Sequence, residues 1–293
     1  MRLRIILVLI CGLALGTGCG SSRAAAFGHV AVVASTNVYG DIASQIGGTR
    51  VSVTSILTDP NADPHLFEPG TANGLAVAQA RLVIENGLGY DAFMQRLVAA
   101  TGSKARVVTV SDVLGVHGKD ANPHLWYDVP RLPRIAAAIA AGLAAADPSH
   151  AAAYRAGLAR FDASLAPLRA EVARIRARFR GAPVAYTEPV PGYLLAAAGL
   201  RNLAPDAFTR AIEDGTEPTP AALAAMDALI AKRRVRVLLY NAQTVSPITV
   251  RLRDEARKAG VPVVPVTETL PPHLDFQQWQ LGQAEALESA LTR

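Results

Sequence analysis

Cysteine is almost missing from this 293-residue chain, and its two copies, Cys11 and Cys19, both lie near the start. The remainder therefore has no disulfide and no thiolate, so a transition metal bound there must be held by imidazole or carboxylate groups. Aromatic side chains are sparse at 5%, and charged ones reach only 18%, against 51% hydrophobic residues. That balance argues against a disordered chain and suits one with a sizeable core. No block of like charge occurs. The formal charge is +5, or +3 without Arg2 and Arg4, and so small and scattered a surplus gives no case for a nucleic-acid partner. Neither a Gly-x-Ser-x-Gly nucleophile turn nor a phosphate-binding glycine loop is present, and Gly87-Leu88-Gly89-Tyr90 is too short for a dinucleotide fingerprint.

The N-terminus reads as a processing signal. Arg2 and Arg4 form a basic segment, and the apolar stretch Ile5–Leu15 behind them is too short to span a bilayer stably. It runs into Gly16-Thr17-Gly18-Cys19 and then the polar Gly20-Ser21-Ser22-Arg23. Small residues before a cysteine resemble the lipobox of bacterial lipoproteins, although Gly16 stands where Leu is usual. The resemblance implies a signal peptide at 1–18, with Cys19 acylated as the first mature residue. The protein is then expected outside the cytoplasm, anchored by lipid to the outer face of the cell membrane.

From His29 onward, β-rich runs alternate with helical ones, and the length suits two domains. Strands are expected at Val30–Ala34, Val51–Leu57, Leu82–Ile84 and Val107–Val110, with helices at Val38–Ile46, Asn73–Gln79 and Tyr90–Ala100 between them. Such alternation predicts a parallel sheet covered on both faces. Between about His150 and Arg180 the pattern changes. Leu158, Phe161, Leu165, Leu168, Val172 and Ile175 recur at helical spacing, predicting one long amphipathic helix of roughly 45 Å, kinked by Pro167. After Gly181 the alternation resumes, with strands at Val184–Thr187, Val235–Tyr240 and 261–266 and helices at Gly192–Ala198, Ala221–Lys232, Thr249–Gly260 and Phe276–Leu291. The fold class is therefore α/β, with two lobes on parallel-type sheets joined by one long rigid helix. The N-terminal lobe covers 27–149, the linking helix 150–180 and the C-terminal lobe 181–293. No internal repeat stands out in the sequence.

Two segments carry metal-binding chemistry. Asp63-Pro64-His65-Leu66-Phe67-Glu68-Pro69 displays His65 from a loop stiffened by proline, and Asn122-Pro123-His124-Leu125-Trp126-Tyr127-Asp128 repeats the Pro-His-Leu-aromatic order around His124. The first follows a predicted strand, where the loops of an open α/β sheet present ligands. His29, His117, His150 and His273 lack that context and read as ordinary polar residues. Asn241-Ala242-Gln243-Thr244 also follows a strand and reads as support for a site rather than as a source of ligands.

These segments resemble the zinc- and manganese-binding solute-binding lipoproteins of ABC metal importers, a family that includes streptococcal adhesin-type proteins. The resemblance runs from about His29 to Leu291. It implies a metal site in the cleft between the lobes, with His65 and His124 as ligands. The stretch Tyr186–Leu194 matches the family segment that carries a third ligand and places Glu188 there. Val266-Thr267-Glu268-Thr269-Leu270 matches the fourth, with Glu268 where Asp is usual. Many zinc-specific relatives carry a His-rich loop ahead of the second histidine, and this chain has none.

The function so implied is capture of Zn2+ or Mn2+ by a monomer that delivers it to a membrane permease and, through that, to a cytoplasmic ATPase. Two other classes stand beside it. One is a surface adhesin or metal-sequestering interaction protein. The other is an exported metallohydrolase, which needs an open coordination position with a base beside it.

Overall fold

A computed structural model describes residues 29–60 and 67–293. The leader, Cys19 and the loop bearing His65 lie outside the described residues.

The first sheet takes the order β2-β1-β3-β4 and is parallel throughout. Its strands are β1 (Val30–Thr36), β2 (Val51–Leu57), β3 (Leu82–Glu85) and β4 (Arg106–Thr109). β1 and β3 are apolar except at their carboxyl ends, Ser35-Thr36 and Glu85, and are buried along almost their whole length, as central strands covered on both faces must be. β2 alternates half-buried and exposed positions up to Ser55 and takes an edge. Around this sheet lie α1 (Asn37–Gly47), α2 (Thr71–Gln79), α3 (Ala92–Thr101), α4 (Val110–Leu114) and α5 (Leu132–Ala146). α5 was not expected, because its Ala-rich run lacks a polar face to mark its period. Leu132, Ile135, Ile139 and Leu143 bury it in the lobe's core.

The second sheet holds β5 (Pro183–Tyr186), β6 (Arg201–Asn202), β7 (Leu238–Asn241) and β8 (Val263–Val266), in the order β6-β5-β7-β8 and again all parallel. Within each lobe, then, the strands run second-first-third-fourth. The repeat absent from the sequence is present in the topology. Each sheet has a switch point between its first and third strands, where the loops at their carboxyl ends part and leave a crevice. The helices of this lobe are α8 (Gly192–Ala197), α9 (Asp206–Glu213), α10 (Pro220–Ala231), α11 (Pro247–Lys258) and α12 (Phe276–Thr292).

The linking segment is not one helix. It divides into α6 (Ala151–Ser164) and α7 (Ala166–Phe179), with Leu165 as the break. Pro167 has no N–H to offer the carbonyl of Ala163, so the ladder lapses for a residue and then resumes. Of the face expected from spacing, Phe161, Leu165, Leu168, Val172 and Ile175 are buried and Leu158 is half-buried, with Tyr154 adding to it. Gly157 lets α6 cross α1 closely, since a Cβ there would fall 2.1 Å from the carbonyl oxygen of Ile46.

Two shifts at element ends matter for the site. Tyr90 was expected inside a helix, but α3 begins at Ala92 and Tyr90 ends a turn in which Gly87, Leu88 and Gly89 all have positive φ. Asn241, expected beyond its strand, is the last residue of β7, which starts only at Leu238.

α12 closes the molecule. It lies along β8 and α7, where Glu288 pairs with Arg178 at 2.6 Å and with Arg174 at 3.2 Å. Its first turn reaches the N-terminal lobe: the Phe276 amide donates to Asp41 at 3.0 Å, and Gln277 bonds to Gln45 at 2.9 Å. One apolar core accordingly runs from Val30 through α6 and α7 to Leu291, while a smaller one around Phe208, Met226 and Leu252 belongs to the C-terminal lobe alone.

Candidate metal site

Residues from both lobes meet at the carboxyl ends of the two sheets. His124 enters from the N-terminal lobe, at the start of a short helical turn, Leu125–Tyr127. It is fully buried. The rings of Trp126 and Tyr90 stand edge-on to it at 5.4 and 5.9 Å and exclude water. Its loop is pinned within its own lobe, because Asn86 donates to the carbonyl of Pro123 at 2.9 Å while accepting from the Tyr39 hydroxyl at 2.5 Å.

Opposite it stand the two carboxylates of the C-terminal lobe. Glu188 follows β5, and Glu268 follows β8. Both are buried, at 1% and 0% exposure. Glu268 Oε2 lies 3.3 Å from His124 Nε2 and accepts from the Tyr90 hydroxyl at 3.0 Å. Its other oxygen accepts from Asn241 Nδ2 at 2.8 Å. The same Nδ2 donates to Glu188, so one amide stands between the two carboxylates. Its orientation is set by Asn241 Oδ1, which accepts from the backbone of Gln243 at 3.1 Å. Gln243 in turn accepts from the amides of Glu268 at 2.6 Å and Thr269 at 3.1 Å, fixing the chain that carries Glu268.

Burial is the main cause that pushes the Glu188 carboxyl up to about 9, with the Glu268 carboxylate adding to it and the Asn241 and Thr244 hydrogen bonds opposing it. Two carboxylates this close and this dry cannot both stay ionised without a cation. Glu188 Oε1 is buried with no hydrogen-bond partner among the described residues. Burial also lifts the Tyr90 hydroxyl far above its ordinary range, with Glu268 reinforcing the shift, so Tyr90 is a donor at neutral pH.

Among the described residues no three His, Cys, Asp or Glu side chains gather tightly enough to hold a metal ion. The described part of the site is the His124–Glu268 pair, with Glu188 tied to it through Asn241. Two of the other described histidines have partners of their own. His117 is exposed beside Asp112, and His150 bonds to Asp147 at 2.7 Å. Glu213, at the end of α9, stands 4.0 Å from His124 Nδ1 and was not expected. Nor was Tyr90, although its glycine-flanked turn was visible in the sequence. A cavity of about 500 Å³, lined by Tyr90, Asn122, Arg210 and Glu213 among others, opens beside the site.

Residues 32–290 match the family model described as the periplasmic zinc-uptake complex component A. The manganese-binding lipoprotein MntA of Bacillus subtilis (strain 168) is 30% identical over 148 residues, which are 47% of this chain and 48% of that protein. The matched stretch spans about half the length of that relative. The manganese ABC transporter substrate-binding lipoprotein scaA of Streptococcus gordonii is 25% identical over 255 residues, covering 81% of this chain and 80% of the relative. Among solved structures, the periplasmic zinc binding protein TroA from Treponema pallidum superposes with a TM-score of 0.76 at 19% identity, over 91% of this chain and 100% of that one. At that identity the likeness speaks for the fold, two α/β lobes on parallel sheets.

Proposed function

Because the chain belongs to the family of periplasmic zinc-uptake complex component A proteins, we propose that it captures Zn2+ or Mn2+ outside the cytoplasmic membrane and delivers it to the permease of an ABC importer. The observation that carries this reading is the meeting of His124 and Glu268, one from each lobe, at 3.3 Å and with neither exposed. Imidazole and carboxylate together suit a divalent transition metal, and ligation from both lobes ties their closure to occupancy. The names of the MntA and scaA relatives, a manganese-binding lipoprotein and a manganese ABC transporter component, support the same class of cargo.

The ligand set is His65, His124, Glu188 and Glu268. A cation held there would offset the charge of both carboxylates and satisfy Glu188 Oε1, while Asn241 keeps the two carboxylates in place. Four protein donors complete a tetrahedral shell and leave no open position for a reacting water, which favours carriage over hydrolysis. Two imidazoles and two carboxylates make a harder site than three imidazoles and one carboxylate, which leans the assignment toward manganese. Zn2+ nonetheless binds the same donors more tightly in solution. Residues 1–18 act as the leader, Cys19 carries the lipid that holds the protein at the outer membrane face, and the permease passes the metal on at the expense of its ATPase.

Titration calorimetry with Zn2+ and Mn2+ tests the assignment. One saturable site is expected, lost in His124→Ala. Absence of saturable binding by the unmodified protein would sink the reading, and Cys19→Ser releasing the protein from membranes checks the anchor separately.

A further inference from the structure

The segment before His124 reaches across the cleft. Asn122 Nδ2 donates to the carbonyl of Pro189 at 2.7 Å, and the Tyr193 hydroxyl donates to the Asn122 carbonyl at 2.8 Å. Both partners belong to the C-terminal lobe, in the segment that carries Glu188. The approach is tight: a Cβ on Gly192 would sit 2.8 Å from Asn122 Nδ2. The other end of the same amide faces home. Asn122 Oδ1 accepts from the His124 amide at 3.0 Å and lies 2.8 Å from His124 Nδ1.

A peptide carbonyl only accepts, so the Pro189 oxygen requires the NH2 end of Asn122 to face it. The amide oxygen is thereby turned toward His124 Nδ1, which must carry the proton. In the neutral ring the lone pair is then on Nε2, the nitrogen on the side of Glu268. We propose that Asn122 is a positioning residue through which the C-terminal lobe reinforces the tautomer of His124, so that the imidazole is held most firmly in its metal-ready form while the lobes are together. The proposal rests on His124 being a ligand. If the lobes part, Pro189 is lost, the His124 amide alone holds the Asn122 oxygen, and the donor face of the imidazole is less firmly fixed. Metal arrival and lobe closure then reinforce each other through one side chain.

The experiment uses the full mature protein. Nitrogen-15 NMR of the imidazoles in the metal-free state reads the tautomer, and stopped-flow release of Zn2+ to a chelator reads retention. Unmodified protein should show His124 protonated at Nδ1. Asn122→Ala should lose that preference and bind Zn2+ about 10–100-fold more weakly, the usual range for a residue that orients a metal-ligating histidine. Asn122→Asp still accepts from Nδ1–H but cannot donate to Pro189, so it should keep the signature and yet release Zn2+ about tenfold faster, since such changes fall mainly on dissociation. Gly192→Ala crowds the Asn122 amide from the other lobe without removing any hydrogen-bonding group, and should both speed release and blur the tautomer. An unchanged tautomer in Asn122→Ala and Gly192→Ala overturns the proposal, whatever the metal does. Loss of the tautomer preference without any Zn2+ binding by the unmodified protein would leave the coupling standing and remove the metal assignment instead.

Discussion

The two lobes share a strand order but hold their halves of the site by different means. In the N-terminal lobe His124 is set by neutral groups: an amide, a carbonyl and two aromatic edges. In the C-terminal lobe Glu188 and Glu268 are set by the donating amide of Asn241 and, through the backbone of Glu268, by the accepting oxygen of Gln243. The first half is a shaped socket. The second is a place where negative charge is gathered at a cost and restrained by hydrogen bonds until a cation offsets it. A topology used twice thus supplies direction on one side and charge on the other, and each half can be challenged separately.

The strongest challenge removes a ligand from either side. His124→Ala and Glu268→Ala should each weaken Zn2+ binding by more than the ~100-fold upper range for supporting residues, measured by competition with a chelating dye. Near-equal retention by both variants would break the two-sided site. Next is Asn241→Ala, which leaves both carboxylates without their shared donor. It should cost about 10–100-fold in affinity, and a loss under twofold would mean the carboxylates are placed by something else. Third is pH. Glu188 in the metal-free fold has its pKa raised from 4.5 to about 9. The stability due to its proton is therefore complete below pH 4.5 and is lost as pH rises through about 9. Metal must displace that proton, so affinity should rise with pH between about 6 and 9, by at most ~10-fold per unit for one proton. Glu188→Gln should flatten that slope. The smallest effect expected is a change of preference. Glu188→His replaces a charged donor with an imidazole and should shift the ratio of Zn2+ to Mn2+ affinity toward zinc by several-fold, whereas a shift toward manganese would contradict the charge-side assignment.

Much of this was readable one segment at a time. The Pro-His-Leu-aromatic order placed His124 because the signal is local: proline fixes the loop and the aromatics that follow wall the imidazole. The central strands were readable because burial on both faces leaves only apolar residues. A disturbance near Pro167 was readable from a missing N–H, but as a kink in one helix rather than as a division into two. What escaped depends on residues far apart in the chain. Tyr90 touches Glu268 across 178 residues, and Asn122 touches Pro189 across 67. No spacing rule reports such a meeting. The doubled strand order escaped because it lies in the pairing of backbones, which side-chain identities barely record. Glu188 and Glu268 came from resemblance, for an acidic residue after a strand carries no mark of its partner.

α12 gives the molecule an unusual schedule of assembly. Trp279 packs its ring 5.9 Å from that of Tyr127, and Gln283 accepts from the Tyr127 hydroxyl at 2.8 Å, so residues made last complete the surroundings of residues made early. Domains ordinarily fold in the order of synthesis, the first while the second is still emerging. Here the first lobe remains unfinished until the last seventeen-residue helix has formed and docked. Contacts so distant along the chain are slow to find, and a truncation at the C-terminus should be felt first in the lobe at the other end.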